Sequence, residues 1–350
     1  MKRIILFTIC IIASLDGFSQ FQTIPFKNNS GSPEGIPYTL PKTVLVVEVT
    51  TECTQQTPGP YCQYAERFLG ITDVCQTEIT SNEIVSVSIY TKPVPDDQNT
   101  YLIVQESKSK NPATIELTPE GFLSSINGDL SEKNINKKSH DANRSNLSKP
   151  YETMESSIVT REMQQSTSTA KIAELAALEL FNIRDARVNI LTQDVDKGPS
   201  DGKSYELVLS ELNRIERYYT ELFTGKRNVS KKVTTFEVDP ASVNESTLFR
   251  FSQIKGIVDK ADLGGSPVNI KIQKEGALAN NAQDSKNAKS VGLYYRIPGK
   301  AKITIADGKK TFCEKEIMVA QFGNVMTLPV QSSGKVKLCP FTGALLQSGN

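Results

Sequence analysis

A chain of 350 residues is long enough for about two or three compact domains. Its 40 Lys and Arg against 39 Asp and Glu leave a formal charge of +1. That balance excludes the broad single-sign field by which a protein is drawn to nucleic acid or an anionic membrane. A single His and no Trp exclude two-His metal sites and leave His140 as the one candidate for a His-based triad.

The chain opens with the basic pair Lys2 and Arg3, an apolar run from Ile4 to Ala13, and small residues at Gly17 and Ser19. This layout predicts a secretory signal peptide over residues 1–19, cleaved after Ser19, because the run is too short to span a ~30 Å hydrocarbon core. Cys10 has Ile9 before it and apolar residues after it, which argues against a lipid-modified cysteine. The predicted product is exported, carries no transmembrane segment, and has acids and bases in balance.

Residues 20–37 are polar and punctuated by Gly and Pro, and read as an extended lead-in. A β-rich domain follows over residues 38–126. Thr43 to Val49 is a β-branched run, and Ile84 to Thr91 alternates with period 2. Tyr101 to Gln105 and Thr114 to Leu117 continue the strand pattern. Between them, Tyr61, Tyr64, Ala65 and Phe68 stand at helical spacing before Gly70, a C-terminal cap. Residues 127–160 begin with a stretch, up to 150, too poor in apolar residues to order itself, and are read as a polar linker. His140 lies inside it, where no rigid pocket would hold a catalytic base.

The period then changes to that of a helix. Ile172, Leu175, Ala176, Leu180 and Ile183 form one stripe within 169–191, and Tyr205 to Phe223 form a cleaner one ended by Gly225. Residues 161–225 are therefore predicted to be a long αα-hairpin. From 226 to 345 short strand patterns return, with Asp307-Gly308 as a hairpin turn, suggesting an antiparallel β-sandwich-like module. The predicted fold class is α+β: a β-rich N-terminal module, the helical hairpin, and the C-terminal β module.

Candidate chemistry is sparse. Export implies an oxidising compartment, so Cys313 and Cys339 are expected to form one disulfide and two of Cys53, Cys62 and Cys75 another. Asp194, Asp196 and Asp201 echo a helix–loop–helix calcium site. Counted from Asp194, however, glycine falls at loop position 5 instead of 6 and Tyr205 stands where the bidentate Glu belongs. The stretch Gly198 to Ser204 has three residues between its glycines where a phosphate-binding loop needs four. Glu174, Glu179, Glu211, Glu216 and Glu221 face Arg184, Arg187, Arg214 and Arg217 as helix-surface ion pairs. Tyr61, Tyr64, Tyr218, Tyr219, Tyr294 and Tyr295 are expected to pack in cores or at their rims. No catalytic, cofactor-binding or established metal-binding set emerges.

Several stretches taken together carry a resemblance: Tyr38-Thr-Leu-Pro-Lys-Thr-Val, Gly59-Pro-Tyr-Cys-Gln-Tyr-Ala-Glu-Arg-Phe-Leu-Gly70, Ala173 to Leu191, Thr220-Glu-Leu-Phe-Thr-Gly225, Tyr295-Arg-Ile-Pro298 and Ala320-Gln-Phe-Gly323. Over about residues 38–340 the chain resembles an uncharacterised family of exported proteins of the Bacteroides lineage, domain of unknown function 4831. The resemblance implies an envelope setting and brings no active site. The expectation is a non-enzymatic envelope protein that binds or scaffolds a protein partner. The alternatives are a glycan-binding module, which needs exposed tyrosines in a row, or a hydrolase with paired carboxylates in a cleft.

Overall fold

The computed structural model describes residues 22–26, 35–104, 113–128, 158–192, 202–276, 292–330 and 334–349. The signal peptide and His140 lie outside them, as does nearly all of the polar linker up to residue 157. The β-branched run at 43–49 is the middle of a far longer strand, β2 (Ile36–Thr57), paired antiparallel with β3 (Ile79–Val104). β1 (Gln22–Pro25) adds to the end of β3 and β6 (Lys226–Val238) to the free side of β2, giving the order β1-β3-β2-β6. Pro93 and Pro95 stand inside β3, where the side turned away from β2 is unpaired because β1 reaches only Tyr101 to Val104. A residue without an N–H is tolerated at such an edge.

A second antiparallel sheet has the order β11-β10-β9-β7-β8, from β7 (Glu245–Ser252), β8 (Gly256–Val258), β9 (Ser266–Glu275), β10 (Leu293–Ala306) and β11 (Thr311–Leu328). The turn after β10 is the one expected at Asp307-Gly308. The Asp307 carboxylate accepts from the Lys309 and Lys310 amides at 2.9 and 2.8 Å, and Gly308 takes φ +86°. The third sheet, β13-β12-β5-β4, joins β4 (Ile115–Leu117), β5 (Leu123–Ile126), β12 (Lys335–Leu338) and β13 (Leu345–Gly349). β6 therefore pairs with β2, and β12 with β5. The β-rich stretches 38–126 and 226–345 share sheets instead of standing as successive modules.

Three cores result. Leu45, Val47 and Val49 of the first sheet meet Phe249, Val268, Ile270, Ile303 and Val319 of the second. Across this interface Phe236 stacks on Phe249 at 5.0 Å. Tyr38, Leu40, Tyr101 and Ile103 pack instead with Leu123, Ile126, Val336 and Leu338 of the third sheet. The third core belongs to α1 (Ala65–Leu69), α2 (Arg161–Gln165), α3 (Thr169–Thr192) and α4 (Gly202–Thr224). Gly70 closes α1 at φ 69°, the left-handed cap read from the sequence.

Both long hairpins lose register between the first two cores. β2 and β3 step from Thr39↔Thr100 to Pro41↔Pro95, which throws Asp96 to Asn99 out of the ladder. β10 and β11 step from Ile297↔Asn324 to Gly299↔Val319, which does the same to Ala320 to Gly323. Pro298-Gly299 and Gly323 are residue types that commonly separate strands, but here they lie at bulges within single strands. The two bulges are bolted together. Arg296, 4% exposed, pairs with Asp96 and donates from Nη1 to the Ala320 carbonyl at 3.3 Å. The Gln321 amide bonds both the N–H and the C=O of Thr43, at 2.9 and 2.8 Å, and the Ala320 N–H reaches the Thr43 hydroxyl at 3.0 Å. Asn99 donates to Asp96 at 2.8 Å and accepts from Tyr101, whose ring stacks on Tyr294 at 4.0 Å. A Cβ on Gly323 would lie 1.5 Å from the Ile297 carbonyl oxygen, so no other residue fits this crossing.

Removing Asp96 leaves a buried guanidinium without its counter-ion, a loss of about 3–5 kcal/mol. Urea denaturation of Asp96→Ala is expected to show that loss, and the double variant Asp96→Leu/Arg296→Met is expected to recover most of it.

Candidate functional site

Among the described residues the helical layer presents the most distinctive surface. β2 and β6 leave the first sheet side by side. The crossing is tight: a Cβ on Gly225, at φ +84°, would lie 2.3 Å from the Thr57 carbonyl oxygen, and one on Gly59 equally close to that of Leu222. The Tyr61 N–H then bonds the Leu222 carbonyl at 2.9 Å, and the Tyr61 ring lies 5.8 Å from Phe223. Thr160 caps α2 by accepting from the Met163 N–H at 3.3 Å.

α3 and α4 run antiparallel, as three contacts along them show. Tyr205 bonds the Ile190 carbonyl at 2.6 Å, Arg187 bonds Asn213 at 2.6 Å, and Arg184 bonds Glu216 at 3.0 Å. Arg187 also pairs with Glu216, which stands between the two arginines. Burial pushes the Glu216 carboxyl up, and the hydrogen bonds and charges of Arg184 and Arg187 together outweigh it, so it titrates below the ordinary range. The inner face of α3 is Ala173, Ala176, Ala177, Leu180 and Ile183, and its three alanines leave room for Tyr219 and Phe223 of α4. Its outer face is mostly polar, with Lys171, Glu174, Asn182, Asp185 and Asn189 exposed. Leu178 and Phe181, 56% and 44% exposed, stand one turn apart on it, whereas Val188 and Leu191, 54% and 55% exposed, lie further round toward the inner side near the end of the helix. Helical periodicity in the sequence gives the inner stripe, and the exposed pair carries no period of its own.

The remaining candidates do not assemble into a site. The five cysteines Cys53, Cys62, Cys75, Cys313 and Cys339 are all free, so the expected disulfides are absent. Cys313 pairs with Ile305 of β10, whereas Cys339 closes a turn onto Gly343, whose carbonyl bonds Arg296. Nine residues of β10 separate those two points, roughly 30 Å at the rise of a strand, far beyond the ~7 Å limit between bridged Cα atoms. Cys53 lies four residues inside β2, roughly 13 Å from its end, and Cys62 lies beyond that end. The Cys75 thiol donates to the Thr77 carbonyl at 2.8 Å. Asp194, Asp196 and Asp201 lie outside the described residues, and no group of three metal-ligating side chains occurs within them.

Tyr61, Tyr64, Tyr218 and Tyr219 pack into the helical core and Tyr294 and Tyr295 into the third-sheet core, so these rings form no exposed row. A recess of about 250 Å³ between Leu328, Val330, Lys335, Val336 and Ser348 has no carboxylate in its lining. Tyr101, near the bolted bulges, is pushed up to about 12 by burial and by Tyr294, and so serves there as a neutral donor. No described helix is long and apolar enough to cross a membrane.

The architecture is that of a mostly β protein with a separate helical layer. The chain belongs to the family described as Domain of unknown function (DUF4831), whose model matches residues 34–345. No curated protein and no solved structure matches it.

Because Glu216 titrates low in the folded state, its contribution is complete above the unfolded value of about 4.3 and fades as pH falls through the lower folded value. Glu216→Gln is expected to lose about 1–3 kcal/mol at pH 7 and to flatten stability between pH 5 and acid, followed by thermal unfolding across that range.

Proposed function

We propose that this is an exported, non-enzymatic envelope protein that binds or scaffolds a protein partner, with α3 and α4 as a projecting αα-hairpin on a sandwich-like β body. The exposed pair Leu178 and Phe181 carries the reading. α3 buries Ala173, Ala176, Ala177, Leu180 and Ile183 in its own core, yet these two large apolar side chains stand one turn apart in solvent on its other side. Association with a partner would remove them from water. The basic, apolar and small-residue sequence of Lys2 to Ser19 supports the envelope setting.

The test is affinity capture of the tagged mature protein from native envelope after crosslinking from the exposed position 182, beside the pair. One protein is expected to be captured reproducibly, and Leu178→Glu/Phe181→Glu is expected to abolish the capture while altering stability by no more than about 0.5 kcal/mol. Capture of polysaccharide alone, or capture indifferent to the double substitution, would count against the proposal.

A further inference from the structure

β6 is the outer strand of the first sheet, and among the described residues nothing pairs with its free edge. It stays in register with β2 from Lys226 to Val238 without a bulge, and every side chain from Arg227 to Val233 is exposed. A long, regular edge of this kind offers the N–H and C=O of every second residue to another strand. Its charge is one-sided. Residues 226–236 hold Lys226, Arg227, Lys231 and Lys232 and no carboxylate. Two copies of β6 laid edge to edge would set these cations against one another, so a second copy of this chain is not the occupant.

The period of a strand sorts the side chains further. Arg227, Val229, Lys231 and Val233 share one face, so cation and apolar side chain alternate along it. Glu52 of β2 approaches Lys231 from the inner side at 3.5 Å, which leaves the outer side of that ammonium open to a second carboxylate. We propose that β6 accepts an extended acidic segment of a partner protein by strand addition. On one face of that segment carboxylates would alternate with apolar side chains, the former meeting Arg227 and Lys231 and the latter Val229 and Val233. This docking site is independent of Leu178 and Phe181 on α3: backbone hydrogen bonds supply the affinity and the charge alternation supplies the register.

The probe is a fluorescein-labelled eight-residue peptide repeating Glu-Thr-Val-Thr, titrated with the mature protein and followed by anisotropy. It is expected to bind, and a peptide with Lys in place of Glu is not. Arg227→Glu/Lys231→Glu is expected to weaken the Glu peptide by about tenfold or more and to gain binding of the Lys peptide. Arg227→Glu alone, which leaves the Lys231 contact with Glu52 in place, is expected to give a smaller loss. N-methylation of alternate peptide amides is expected to abolish binding. The proposal is overturned if neither peptide binds, if the charge swap changes nothing, or if heparin or the N-methylated peptide binds as well as the Glu peptide, since that is simple attraction of a polyanion. Leu178→Glu/Phe181→Glu is expected to leave peptide affinity unchanged, so failure here and failure of the α3 reading are separable.

Discussion

The ion pair between Arg296 and Asp96 sits where two long hairpins change register, and the arrangement of the β body depends on it. The buried positions of β2 run 38 and 40, then 41, 43, 45, 47, 49 and 51. One unpaired residue, Leu40, shifts the inward parity so that a single strand serves two cores. Of the polar residues looped out here, Asp97 and Gln98 are exposed, and the half-buried Asp96, Asn99 and Gln321 find partners in the other hairpin or within the bulge. Here the bulge of β3 supplies the carboxylate, the bulge of β11 supplies a carbonyl and a glutamine amide, and Arg296 and Thr43 receive them. The buried guanidinium is paired with Asp96 and bonded to the Ala320 carbonyl, while its Nε has no partner among the described residues, so its burial rests on the two Nη contacts.

Much of this was legible locally. A β-branched run identified the centre of β2 and period-2 alternation that of β3, and the stripes from Ile172 and Tyr205 identified α3 and α4. Gly70 and Asp307-Gly308 ended their elements as read. The lengths of the strands were not legible, because Pro298, Gly299 and Gly323 carry the chemistry of strand ends and are accommodated here in bulges. The sharing of sheets was hidden too, since pairing β2 with β6 spans the whole helical layer and leaves no trace in local sequence. The cysteines misled for a related reason: nearness along the chain, or in one predicted module, says little when a 14-residue strand separates the thiols.

The stretches that carry the family resemblance fall largely on two structural points. Tyr295 to Pro298 and Ala320 to Gly323 form the bolted bulges, and the stretch from Gly59 together with Thr220 to Gly225 forms the crossing from sheet to helix. Both are places where backbones approach too closely for a Cβ or where a buried charge needs one partner. At these two points the resemblance is therefore to an architecture; the β6 edge proposed above as a docking site lies outside the resembling stretches, whereas Leu178 and Phe181 lie within one of them.

That crossing has a mechanical side. The end of β2 and the starts of β3 and β6 all emerge at the helical end of the first sheet, and beyond Cys53, whose partner Asn82 still bonds the Gln253 and Ile254 carbonyls, the ribbon extends four residues, roughly 13 Å, to Thr57. A load applied to the helices runs along the axes of three strands into the β body. The ladder bonds of such a ribbon share the force in shear instead of opening one after another from an end. The ribbon is thus a stiff stalk, able to hold the helices at a fixed distance and orientation while something pulls on them.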